Sequence, residues 1–128
     1  MNHIGLLIIR IGLGVMFLIH GAPKLAGGPA KWAKLGLAMQ NFGIDFYPQF
    51  WGFMAAFSET FGALCLMAGL LWKPGLALLS ATMFVAVFFH LGRGDGLMGA
   101  SHALELLIVF IGLILIGPGK YRPYRGTY

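Results

Sequence analysis

The chain has 128 residues, 59% of them hydrophobic and only 10% charged, with a mean hydropathy of +0.82. Roughly a quarter of a soluble domain's residues are charged, so this composition excludes a water-facing globule and describes an integral membrane protein. The formal charge of +5 comes from basic residues scattered at segment ends; they form no nucleic-acid patch and suit lipid headgroups.

Residues 4–21 are the first apolar stretch, stopped by Gly21-Ala22-Pro23. Arg10 interrupts it and no Lys or Arg precedes it, so it reads as a retained helix and not as a signal peptide. Residues 24–47 form the one sizeable polar segment. There Trp32, Leu35, Leu37, Met39 and Phe42 mix with Lys31, Lys34, Gln40 and Asn41. That mixture predicts a short interfacial helix with Trp32 at headgroup level and its lysines turned outward. Residues 50–71 are the second span, Lys73-Pro74-Gly75 a tight hairpin, and residues 74–91 the third span with Pro74 in its first turn. A glycine-rich loop over residues 92–99 leads to a fourth span at 101–117, ended by Gly117-Pro118-Gly119. The tail joins Lys120, Arg122 and Arg125 to Tyr121, Tyr124 and Tyr128, an interfacial belt.

The expected fold is all-α, one membrane domain over residues 1–128 built as an antiparallel bundle of four transmembrane helices, with the short interfacial helix between the first two. Small residues four apart, Gly52/Ala56 and Ala77/Ala81, predict close helix packing in lipid. Cys65, the lone cysteine, cannot form an intramolecular disulfide and reads as a small packing residue. Arg10 and the compact basic tail place both termini in the cytoplasm by the positive-inside rule.

Ionisable side chains within apolar spans are costly, and they mark where function resides. Counting rise per residue puts Arg10 and Glu59 about 7 Å apart along the membrane normal, within reach of an intramembrane ion pair and a substrate-binding role. A second group gathers at the opposite rim: His20 ends the first helix, His90 lies near the end of the third, and His102 and Glu105 open the fourth. His102 and Glu105 are three apart and share a helix face. Imidazole changes protonation near neutral pH, so these four residues are the candidate catalytic group, placed to take protons from a quinol as its electrons leave. Haem or metal ligation by the histidines is a further reading, but no HExxH, paired CxxC or repeated ExxH motif supports it.

Residues 6–24, LLIIRIGLGVMFLIHGAPK, resemble the first helix of DoxX-type small membrane proteins, with an arginine in the span, a phenylalanine at the exit, then glycine and lysine. Glu59-Thr60-Phe61-Gly62, the run from Gly69 to Pro74, and the stretch from Glu105 to Tyr121 look like that family's second helix, hairpin and last helix. The tail departs from the serine-leucine-aspartate ending common in the family. The resemblance implies a four-helix bundle in the bacterial cytoplasmic membrane and, for some relatives, a membrane subunit of a thiosulfate:quinone oxidoreductase. It carries Arg10, His20, Glu59, His90 and Glu105 over as candidate site residues. Two further classes stay open: a non-catalytic scaffold that docks a protein partner, and a small-solute transporter working as a homo-oligomer. Whether the chain is itself an enzyme is left open with them.

Overall fold

The computed structural model describes residues 2–123. Tyr124, Arg125 and Tyr128 of the expected tail belt lie outside the described residues. In chain order the helices are α1 (His3–Ala26), α2 (Pro29–Gly36), α3 (Pro48–Ala68), α4 (Trp72–Gly92) and α5 (Gly96–Ile116). A 3₁₀ segment, Leu37–Phe42, follows α2. No strand occurs among the described residues. The helices α1, α3, α4 and α5 are long and apolar enough to cross a membrane, and the chain is an all-α integral membrane protein.

Helix ends differ from the sequence expectation in informative ways. α1 runs through Pro23 to Ala26 instead of stopping at residue 21. Proline in a last turn removes only a bond near the frayed end, and the indole Nε1 of Trp32 donates to the carbonyls of Lys24 (3.1 Å) and Leu25 (3.2 Å). Trp32 therefore closes the end of α1, its ring edge-on to Phe53 at 5.1 Å, while Lys31 and Lys34 are exposed as expected. The chain reverses between α3 and α4 not at Lys73-Pro74-Gly75 but at Gly69–Leu71. Gly69 adopts φ 71°, and its N–H returns to the carbonyl of Cys65. Pro74 does fall in the first turn of α4. The expected loop over residues 92–99 shrinks to the turn Arg93-Gly94-Asp95, because α5 begins five residues earlier than expected.

α3 is the hub: α1, α2 and α4 all pack on it, and α5 packs on α4. Glycines set the spacing. A methyl group on Gly21 would fall 2.8 Å from the Glu59 Cβ, and one on Gly62 would fall 3.0 Å from the Gly75 carbonyl oxygen. Gly14 likewise faces Met67, and Cys65 packs on Gly75. Leu66, Trp72, Leu76, Leu79 and Phe110 fill the centre, and the buried Trp72 indole donates to the Leu113 carbonyl at 2.8 Å. Gly52 and Ala56 are buried, Gly52 against the Trp32 backbone, whereas Ala77 and Ala81 are exposed on the outer face of α4. Packing within the bundle uses only the first of these two small-residue pairs.

α1 and α5 nowhere bring Cα atoms within 8 Å of each other among the described residues. Their seam is crossed instead by side chains, above all Phe17 edge-on to Phe110 at 5.2 Å. At the end carrying both termini, the Lys120 N–H donates to His3 Nδ1 at 3.1 Å.

A Cβ at Gly52 would run into the Trp32 carbonyl, whereas one at Gly12 meets nothing within 4 Å. Gly52→Ala is expected to destabilise the protein by about 1–3 kcal/mol, the usual cost of overpacking. Gly12→Ala should be neutral or slightly stabilising, and unfolding in detergent micelles compares the two.

Candidate functional site

Arg10 is 1% exposed and does not pair with Glu59. Its Nε donates to the Leu66 carbonyl (3.1 Å) and Nη2 to the Met67 carbonyl (2.8 Å), both in the last turn of α3. Its Nη1 donates to the carbonyls of Pro118 (3.1 Å) and Tyr121 (2.7 Å), beyond the end of α5. The last carbonyls of a helix lack intrahelical partners and carry the negative end of its dipole, so a guanidinium is well matched to them. The expected Arg10–Glu59 ion pair is thus corrected to an arginine clasp on backbone oxygens.

Register explains the correction. Glu59 packs beside Gly21 of α1, eleven residues from Arg10, which is about 16 Å along a helix. Glu59 instead meets Lys24, whose Nζ lies 3.1 and 3.2 Å from the two carboxylate oxygens. The side chains are 8% exposed for Glu59 and 32% for Lys24, so the pair looks out from a buried acid toward a partly open space.

That space is a cleft of about 360 Å³. Its walls carry His20 and Lys24 from α1, Glu59 from α3, His90 from α4 and His102 from α5. Leu13, Phe17, Met83, Ala86 and Leu106 supply the apolar lining. The structure therefore brings His20, His90 and His102 together as the sequence suggests, and adds Glu59 and Lys24. Glu105 is not in the lining; it is exposed on the outer surface of α5. Arg10 lies apart, at the other end of the bundle. His90 Nδ1 lies 2.9 Å from Asp95 Oδ2, while His20 and His102 make no hydrogen bond among the described residues. No group of three His, Cys, Asp or Glu side chains suited to a metal ion occurs among the described residues.

Sequence reasoning missed Lys24 and Asp95. Lys24 follows His20 by four, which on a continuing helix places both on one face, but in the sequence Pro23 between them reads as a stop. Asp95 sits in a turn, where hydropathy says nothing of its aim. The arrangement suits an amphipathic small molecule, with an apolar wall for its body and convergent imidazoles for a polar head.

The DoxX family model matches residues 5–92. The chain belongs to the DoxX family. This DoxX protein's match takes in α1 to α4, with His20, Lys24, Glu59 and His90, and ends before α5 and His102. No curated protein and no solved structure matches the chain.

Two predictions test this geometry. Arg10→Lys replaces a planar fork with a point charge and leaves several of the four carbonyls without a partner. It is expected to cost about 2–4 kcal/mol, measured by unfolding in micelles. Lys24→Met leaves Glu59 buried and unpaired, at about 1–3 kcal/mol after discounting for the exposure of Lys24. The double variant Lys24→Met, Glu59→Leu should recover most of that loss, so a double variant less stable than Lys24→Met would contradict the pairing.

Proposed function

We propose that this protein is the membrane subunit of a redox-linked assembly in the bacterial cytoplasmic membrane, and that its cleft holds the head of a lipid-soluble quinone. The observation that carries the reading is the gathering of three imidazoles and the Lys24–Glu59 pair on one apolar-walled cleft. Its volume of about 360 Å³ lies within the roughly 300–1,000 Å³ of small-molecule sites. The seam between α1 and α5, which lacks backbone contact, offers an isoprenoid tail a way out to the acyl chains.

Reduction of a quinone to its quinol takes up two electrons and two protons. In this reading the electrons come from a donor on a soluble protein partner, and the cleft supplies the protons. Histidine suits that task because its ordinary titration range spans neutral pH. His20 and His102, with no hydrogen bond among the described residues, have ring nitrogens to offer a head group. Glu59, paired with Lys24, stands beside the histidines that receive and pass on protons. With both termini in the cytoplasm, the cleft opens in the outer half of the membrane. Arg10 has a structural role here, fixing the helix ends on which the cleft is built.

Solvent extraction and an absorption spectrum of gently purified protein should show bound quinone and quinol together approaching one per chain. Ala86→Phe fills the cleft from α4 and should remove them, while Ala77→Phe on the outer face of α4 should leave them in place. Protein that carries neither quinone nor quinol when purified from quinone-replete membranes, or equal amounts in both variants, would count against the proposal. In the scaffold reading, replacing His20, His90 and His102 together with alanine leaves partner recovery and phenotype unchanged.

A further inference from the structure

His90 is in the last turn of α4 and lines the cleft, and Asp95 immediately precedes α5, at the end of the turn that joins the two helices. Asp95 occupies the N-cap position of α5, where a carboxylate ordinarily accepts a bond from a first-turn N–H. Here the side chain makes no capping bond. It turns back instead, placing Oδ2 2.9 Å from His90 Nδ1. Arg93 forms an ion pair with the same oxygen, with Nε at 3.6 Å, and its guanidinium sits over the Phe89 ring at 5.2 Å from the centroid. Phe89, Arg93 and Asp95 thus form a brace behind one nitrogen of a cleft histidine.

An ionised carboxylate only accepts hydrogen bonds, so the proton of a neutral His90 ring belongs on Nδ1 and the lone pair on Nε2. With Nδ1 engaged, Nε2 is the nitrogen left for an occupant of the cleft. His90 is about a third exposed at the cleft, and an O–H group of an occupant satisfies such a lone pair. Facing a carbonyl oxygen, it would leave two acceptors unmatched, and sites built to hydrogen-bond a hydroxyl discriminate strongly on that ground. The other charged and titratable groups on the cleft are His20, Lys24, Glu59 and His102, of which Lys24 and Glu59 engage each other.

We propose that Asp95 is the positioning residue for His90, and that through it the cleft takes the hydroxyl-bearing quinol form of its occupant in preference to the quinone. The selectivity rests on the reading of the cleft as a quinone site; the positioning of His90 does not.

The test uses the full chain in detergent micelles with nitrogen-15-labelled histidine, at about pH 8, above the ordinary histidine range. Ring-nitrogen shifts are expected to show native His90 in the Nδ1–H form, and Asp95→Ala to convert it to the Nε2–H form. Asp95→Asn keeps an acceptor oxygen and should restore part of the native signal. In parallel, a decyl-chain benzoquinone and its hydroquinone are titrated as probes. The hydroquinone should bind about fivefold tighter, the factor one net hydrogen bond is worth, and Asp95→Ala should bring the ratio close to one. Native His90 in the Nε2–H form, or a hydroquinone preference untouched by Asp95→Ala, would overturn the proposal. If neither probe binds while His90 is Nδ1–H, the quinone reading and the selectivity fall together and the positioning by Asp95 stands.

Discussion

Four carbonyl oxygens converge on one guanidinium, two from the last turn of α3 and two from the chain beyond α5. In water each oxygen would be solvated. In a bilayer an unsatisfied backbone group costs several kcal/mol, so the end of every helix needs a partner from the protein or the interface. Arg10 supplies that partner to two segments at once, with charge-assisted bonds that suit the negative end of a helix dipole. It therefore joins α1 to the exit of α5 although the two helices have no close backbone approach. The clasp closes one end of their seam, and Phe17 on Phe110 crosses it further along. The rest of the seam is free to be a cleft.

The same anchoring decides the partner of Glu59. With Arg10 at the end of α3 and Gly14 and Gly21 seated against α3, α1 cannot slide, and Glu59 comes level with Gly21. The acid then has Lys24 within reach only because α1 continues past Pro23. That continuation depends in turn on Trp32, whose indole takes up the carbonyls of Lys24 and Leu25. A residue of the short α2 thus secures the helical turn that presents the lysine to the cleft.

Hydropathy made the four spans legible, and chain order put His20, His90 and His102 at one rim, because antiparallel helices bring alternate ends together. Partners were less legible, for reasons that can be named. Depth counted from span ends placed Arg10 about 7 Å from Glu59, whereas the register separates them by about 16 Å along α1. The register comes from glycines meeting particular side chains and backbone atoms, which an apolar pattern does not encode. Glu105 failed differently. Three residues from His102 leave a rotation of about 60° between the two side chains, enough at the edge of a bundle to turn one into the cleft and the other outward. The turn carrying Asp95 was hidden because the extra start of α5, from Gly96, lies in what reads as a glycine-rich loop.

The two ends of the bundle are chemically unlike. At the Arg10 end, polar capacity is used within the chain: four carbonyls on one guanidinium, and the Lys120 N–H on His3. At the other end His20 and His102 make no hydrogen bond among the described residues, and an acid only 8% exposed relies on a lysine that is a third exposed. An arrangement selected for stability alone would favour apolar residues of similar volume over such a pair, since a buried ion pair rarely outperforms them. Ionisable groups on membrane helices that line a shared cleft mark it as the candidate functional site. Function is therefore best sought at the cleft. The family match, which includes four of the five polar cleft residues, leaves α5 to contribute the fifth, His102, from the helix that Asp95 immediately precedes.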